Sequence, residues 1–348
     1  MSAARSKKKK NKFRWLLWAG AALVIIALYG LLKIFGPNTG SMSEGEYLYI
    51  RTGSTYADVK EALKEGGFIR NMASFDLLAK KANYPARVYA GKYHIEKGMS
   101  NYDIVRLLRS GRQIPVKIVI NKLRTKQDFI QLISTNLEAD SMVLRQMFAD
   151  TIYLAQFGLD TSTVMCAVLP DTYEFFWNTG ADKAFRKIAR YYKEYWTEER
   201  KAKAKAHGLT PVKSIIVASI VEEETNKNDE KGNIASVYIN RNRIGMRLQA
   251  DPTVKFAVGD FTIRRITGTH LATISPYNTY MYAGLPPGPI CTPSKKSIEA
   301  VLNAPDTKYL YFCAKEDFSG YHRFATNLAE HAKNARLYQQ ALNARGIH

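Results

Sequence analysis

The segment Leu209–Asn226, LTPVKSIIVASIVEEETN, decides both the fold and the chemistry. Thr210 is suited to cap a helix with its hydroxyl, and Pro211 suits the first helical position, where the N–H would go unpaired anyway. Val212, Ile215, Ile216, Val217, Ile220 and Val221 then cover most of the circumference. A helix apolar nearly all round belongs at the centre of a domain. It closes on three consecutive carboxylates, Glu222, Glu223 and Glu224. At about 100° per residue, Glu224 lies roughly 40° from Ile220, on the buried side with Val217 and Val221. Glu222 lies about 160° from Glu224, off that face. Glu223 falls near Ile216, and geometry alone leaves it open.

Carboxylates at a helix C-terminus oppose the macrodipole, at about 0.3–1 kcal/mol each. Desolvation and like-charge repulsion there raise a carboxyl pKa, which a general acid working near neutral pH requires. Read alone, the cluster also fits a solvated acidic helix end. The rest of the chain has to choose.

The 348 residues carry a net charge of +20, and 46% are hydrophobic, with 21 Tyr, so real cores are expected and wholesale disorder is excluded. Arg5, Lys7, Lys8, Lys9, Lys10, Lys12 and Arg14 concentrate seven of those charges in a short tail. The remainder suits a polyanionic partner: nucleic acid, anionic lipid or carboxylate-bearing cell wall. Cys166, Cys291 and Cys313 have no metal-ligand spacing, so they are expected as small, mostly buried thiols, and no metal or cofactor is expected.

Compartment follows from Trp15–Leu32, WLLWAGAALVIIALYGLL, a charge-free run flanked by Arg14 and Lys33. With Phe13, Ile34 and Phe35 it is long enough for a hydrocarbon core of about 30 Å. No clear small-x-small cleavage site follows, so a signal anchor is expected rather than a cleaved signal. The basic tail places the N-terminus in the cytoplasm and the bulk of the chain outside it. That removes nucleic acid from the partners. The expected location is the inner membrane, single-pass, with a periplasmic catalytic domain.

After a stretch at 36–46 that reads as a short flexible linker, one pattern occurs twice. Tyr49–Leu63 and Tyr93–Leu108 align Gly53 with Gly98 and Asp58 with Asp103. Each reads as a short strand, a Gly turn and a helix opened by a capping box, Thr55-x-x-Asp58 or Ser100-x-x-Asp103. A degenerate third copy contains Thr125-x-x-Asp128, with Leu123 where Gly stood. Such units resemble the LysM class, which binds N-acetylglucosamine polymers; a plain α+β spacer is the alternative. Farther on, 182–206 reads as one basic amphipathic helix, with Phe185, Ile188, Tyr192 and Tyr195 on its apolar stripe.

Downstream of the glutamates run IASVYINRNRIGMRLQADPTVKFAVG, SPYNTYMYAGLPPGPICTPS and YLYFCAKEDFSGYHRFATNLAEHAKN. With LPDTYEFFW (Leu169–Trp177), these stretches resemble the endolytic murein transglycosylase family, also called YceG-like. The resemblance extends over nearly the whole chain. It implies that the acid/base is the Glu of a Glu-Thr pair closing the apolar helix, here Glu224-Thr225. The family commonly has a basic residue between the two glutamates; this chain has Glu223, which is expected to push the Glu224 pKa further up. Gln249, Asn278 and Tyr280 offer neutral donors and acceptors for sugar hydroxyl and acetamido groups, and Arg247 suits a lactyl or peptide carboxylate. Tyr277, Tyr280 and Tyr282 offer stacking faces for pyranose rings. Asp251-Pro252 reads as a turn, and His322 as structural, without a partner carboxylate in the sequence.

The expected fold class is α+β. It comprises a basic tail (1–14), a transmembrane anchor (15–35), the linker (36–46), a LysM-like module (47–116) and a lysozyme-like, mostly helical catalytic domain with added β structure (117–348). The implied function is cleavage of the MurNAc–GlcNAc bond in peptidoglycan strands to give 1,6-anhydro ends, with strand-synthesising enzymes as implied partners. Two rivals stay open: a non-catalytic, membrane-anchored glycan-binding scaffold, and a lysozyme-type hydrolase, which would need a second carboxylate.

Overall fold

Charged residues at helix starts and apolar ones at helical spacing build most of this chain. A computed structural model describes residues 3–42 and 45–346, with side chains from Arg14 onward. The basic residues Arg5–Lys12 therefore lie outside the described side chains, and Ser43 and Glu44 of the linker lie outside the described residues. Two compact units emerge: residues 1–116 with 175–179, and residues 117–174 with 180–348. The architecture is mixed, with helices dominant and three two-stranded sheets.

The first unit opens with α1 (Ala3–Phe35). Its segment Arg14–Phe35 has a mean hydropathy of 2.2 and is buried nowhere, so it is long and apolar enough to cross a membrane. Strand β1 (Tyr47–Ile50), helices α2 (Tyr56–Glu65) and α3 (Met72–Lys81), strand β2 (Gly91–His94) and helix α4 (Asn101–Ser110) follow. The two strands pair antiparallel, Tyr47 opposite His94 and Ile50 opposite Gly91, so the two sequence repeats meet through their strands. Both capping boxes close: Thr55 and Ser100 accept from the Asp58 and Asp103 amides, and each carboxylate returns to its cap. Leu48, Ile50, Leu63, Phe75, Tyr84, Tyr93, Ile104 and Leu108 fill the core.

One expectation fails here. The stretch after α1 does not hang free. Asn38 and Thr39 are buried, and the backbone bridges Pro37 to Ser100 and Thr39 to Ile69. The Asn38 amide donates to the Asn101 carboxamide oxygen (2.6 Å) and accepts from the Asn71 N–H (2.9 Å), while Asn101 donates to the Lys33 carbonyl (2.8 Å). A Gly/Ser-rich composition reads as a tether, but buried asparagines that satisfy one another override it.

The second unit begins on β3 (Pro115–Ile120), which pairs with β4 (Asp171–Phe176). Between them lie α5 (Lys126–Asn136), α6 (Ser141–Ala149) and α7 (Thr151–Ala155); α5 starts on the third capping box, Thr125 with Asp128. The expected single helix over 182–206 is two, α8 (Ala181–Tyr195) and α9 (Glu198–Ala206). Thr197 breaks it by capping a new start, accepting from the Arg200 amide, and Glu198 and Glu199 favour that positive end.

Helix α10 (Pro211–Glu224) is the buried axis of this unit. Thr210 caps it by accepting from the Lys213 amide, with Pro211 at its first position, and Ser214 through Val221 are all buried. Around it come α11 (Lys231–Arg243), α12 (Asp251–Val258), α13 (Gly268–Leu271) and α14 (Lys295–Leu302), of which α11, α12 and α14 pack on α10. A hairpin of β5 (Tyr311–Ala314) and β6 (His322–Ala325) and the final helix α15 (Leu328–Ala344) complete it.

Candidate active site

At its C-terminal end α10 delivers three consecutive carboxylates to three different environments. Glu222 does not face solvent, contrary to expectation, because α10 is covered on that side too. It accepts from the Ser294 hydroxyl (2.6 Å), the Ser297 hydroxyl and the buried Lys231 ammonium (3.1 Å). Burial alone would raise its pKa; these donors together hold it below the ordinary value. Glu223 pairs with Lys122 (2.7 Å) and Arg124 (3.0 Å), and those two cations likewise outweigh burial and keep its pKa low. Both are ionised anchors of the helix end.

Glu224 differs. Its residue surface is partly accessible, but protein atoms crowd the carboxyl. Burial pushes its pKa up to about 7, against the hydrogen bond from Tyr238 and with the help of the Asp251 charge; Lys255 and Arg241 pull weakly the other way. The like charge that helps raise it is thus Asp251, not the adjacent Glu223, whose charge Lys122 and Arg124 already neutralise. The Tyr238 hydroxyl, on α11, donates to Glu224 Oε1 at 2.5 Å. Among the described residues Oε2 makes no hydrogen bond, so it is the oxygen available to carry a transferable proton.

Tyr238 is itself buried, edge-on to Phe312 at 5.9 Å. Three residues along the same helix, Arg241 is also buried and donates to the Leu310 (2.6 Å) and Leu248 (2.7 Å) carbonyls. It fixes the chain on either side of the site while contributing positive potential. The sequence reading passed over Tyr238 and Arg241. The available signal was a Tyr and an Arg at i, i+3 on a helix that also carries Ile234, Val237 and Ile239 inward.

The loops carrying Arg247, Gln249, Asn278 and Tyr280 come together. The Gln249 amide donates to the Thr279 carbonyl (3.1 Å), Ala250 N–H to the Thr279 hydroxyl (3.0 Å), and the exposed Arg247 to the Tyr280 carbonyl (3.1 Å). Their roles diverge. Asn278 is fully buried and uses both amide hydrogens on the Leu271 and Thr273 carbonyls, while its oxygen accepts from the Tyr280 amide. It shapes the loop from within. Tyr280 donates its hydroxyl to Asp251 (2.6 Å), and its electrostatic coupling to Glu224 puts it beside the acid. Gln249 is held at φ +48 with an exposed side chain that makes no hydrogen bond among the described residues. A non-glycine in the left-handed region is uncommon and concentrates at functional sites.

Asp251 is not merely a turn residue; it begins α12, with Pro252 second, and its charge acts on Glu224. Tyr277 packs against Phe256 with the rings tilted at 46° and centroids 4.6 Å apart, and Tyr282 is exposed. His322 does have a carboxylate partner: its Nδ1 lies 3.0 Å from buried Glu230, 92 residues away in sequence. Cys166 and Cys291 are buried, and burial pushes both thiols up.

Several known proteins are similar to this chain over most of its length. A Bacillus subtilis (strain 168) protein named endolytic murein transglycosylase is 30% identical over 321 residues, covering 84% of this chain and 85% of that protein. A protein of the same name from Streptococcus pneumoniae serotype 2 is 25% identical over 319 residues, and the match spans only 57% of its length. The 2.6 Å crystal structure of a YceG-like protein from Listeria monocytogenes superposes with a TM-score of 0.54 at 27% identity, covering 82% of this chain and 97% of that one. Residues 48–337 match the YceG-like family, and the chain belongs to that family.

Proposed function

We propose that this protein is a membrane-anchored endolytic transglycosylase of peptidoglycan, a lyase that cuts within glycan strands with Glu224 as its acid and base. One observation carries the reading: a carboxyl at the end of a buried helix, with no cation bonded to it, a pKa of about 7 and one oxygen without a hydrogen bond among the described residues. Half of such groups are protonated at neutral pH, and the conjugate carboxylate is stabilised in place by the Tyr238 hydroxyl.

In the first step Glu224 Oε2–H gives its proton to the oxygen linking MurNAc to GlcNAc. The MurNAc C1–O bond breaks, the oxygen leaves as a GlcNAc hydroxyl, and the ring passes through an oxocarbenium-like state. Tyr238, Arg241 and Lys255 then face a full carboxylate, which suits them. In the second step that carboxylate takes the proton of the C6 hydroxyl on the same MurNAc, whose oxygen closes on C1. A 1,6-anhydro end results and Glu224 is protonated again. The nucleophile is already attached, so the closure gains the advantage of an intramolecular reaction. Gln249 and Arg247, both exposed where their loop meets the one that carries Tyr280, are the side chains suited to the sugar amide and to a stem carboxylate.

Helix α1 serves as the anchor, with the basic tail in the cytoplasm and the chain from residue 36 onward outside the inner membrane. Residues 47–116, a LysM-like module on this reading, bind the glycan, and strand-synthesising enzymes in the same membrane are the natural partners. A hydrolase is the second reading, favoured by Asp251, a second carboxylate close enough to raise the Glu224 pKa. Digestion of isolated sacculi in water enriched in heavy oxygen separates the two. Products with 1,6-anhydro ends and no incorporated label support the lyase; labelled reducing ends sink it.

A further inference from the structure

The end of α10 remote from Glu224 borders a cavity of about 760 Å³. That volume is in the range of pockets that hold small molecules. Thr210, Pro211 and Val212 form one wall, so the positive end of the α10 dipole faces it. Phe157, Tyr192 and Trp196 supply an aromatic lining, and Arg186, Arg190, Lys193 and Lys201 supply cations. Among the described residues no acidic side chain lines it. The acids that do pair with these cations, Asp182, Glu194 and Glu198, are exposed neighbours one helical turn away on the same helix. Such pairs are weak and easily exchanged for a ligand anion.

A second feature is independent of charge. Trp196 is 3% exposed, yet its indole N–H has no acceptor. Buried donors are nearly always satisfied, so an orphan in the lining of a cavity points to a missing acceptor. Trp196 lies where the expected single helix breaks, between α8 and α9, and the break is what brings it into the lining.

We propose that this cavity is a second binding site for a carboxylate-bearing glycopeptide, namely a peptide-substituted disaccharide of the same strand that Glu224 cuts. The aromatic faces take the pyranose or peptide body, the cations and helix terminus take the carboxylate, and an acceptor on the ligand satisfies the indole. Helix α10 has 14 residues, so the two sites lie roughly 20 Å apart along its axis. The proposal rests on the peptidoglycan reading only for the identity of the ligand.

Calorimetric titration of full-length Glu224→Gln in detergent with a purified GlcNAc–MurNAc-peptide tests it without turnover. Three equivalents are expected to bind, at the Glu224 site, at the glycan-binding module and in this cavity. Adding Arg190→Glu with Lys193→Glu abolishes one of them or weakens it about tenfold, and Trp196→Phe weakens the same event. Neutral chitobiose is expected to ignore both changes. A stoichiometry and affinity left unchanged by the charge reversal overturn the proposal, and so does an equal effect on chitobiose. Vesicles of phosphatidylglycerol that bind through Arg190 and Lys193, while the glycopeptide does not, overturn it in favour of a lipid surface. If binding behaves as stated but the wild-type protein cuts no strands, the enzymatic reading fails and this site stands.

Discussion

The starts of α2, α4 and α5 and the end of α10 use the same material, carboxylates at helix termini, to opposite effect. At Asp58, Asp103 and Asp128 the carboxylate sits on the positive end of its helix and closes a capping box. Nothing is left over for chemistry. At Glu222, Glu223 and Glu224 the charges sit on the negative end. Two of the three are rescued by cations and hydroxyls recruited from elsewhere in the unit, and the third is left against a tyrosine with a raised pKa. Where local rules are obeyed the chain is building structure; where one is broken and only partly repaired, it keeps a reactive group.

The contrast is broken most severely at Glu224. Glu224→Gln is expected to fold and to lose at least about 10²–10⁴-fold in strand cleavage, measured by product release from sacculi. The same variant carries a stability signature. A folded pKa near 7 means that the protonated form is the one folding favours, so the wild-type group loses stability as pH rises through about 7. Below an unfolded pKa of about 4.5 the two proteins are expected to match, and at pH 9 the variant is expected to be more stable by up to about 3 kcal/mol. Denaturant titrations at both pH values read this. Wild-type activity is expected to fall with the same limb, tenfold per pH unit above about 7.

Next in size is the repair of Glu222. Lys231→Ala leaves a half-buried carboxylate with only hydroxyl partners and is expected to cost about 3 kcal/mol in chemical denaturation. Glu223→Gln, on a more open pair of cations, is expected to cost less. Smaller again, Tyr238→Phe removes the donor that favours the ionised form of Glu224. The activity limb is expected to move to higher pH by about 1 unit, because that hydrogen bond lowers the pKa. An unmoved limb would mean that Tyr238 only packs. The smallest effect belongs to the obedient region: Ser100→Ala is expected to lower stability by about 1 kcal/mol and to leave the pH profile alone.

What was legible in the sequence divides along the same line. The axis helix, its cap at Thr210 and all three capping boxes are local patterns, and each forms where its spacing puts it. The angular position of Glu224 followed from helix geometry, but the partners of Glu222 did not. Ser294 and Ser297 lie more than 70 residues downstream, and no periodicity announces them. The same holds for His322 with Glu230 and for Asp251 with Tyr280, pairs made by tertiary packing. Asn278 looked like a sugar ligand because an amide is equally good at binding a loop carbonyl. Thr197 was hidden in a charged run whose period continues across it.

The asparagine lock below α1 has a consequence for how the protein searches for substrate. A flexible eleven-residue tether would let the module wander by roughly 18 Å around its attachment point. Asn38, Asn71 and Asn101 remove that freedom by bonding to one another and to the last turn of α1. With α1 in the bilayer, as proposed, the β1–β2 module is docked at the membrane rather than cast on a line. On the proposed glycan-binding role, strands in the first layer above the lipid are expected to meet it at high effective concentration, and wall farther out is not.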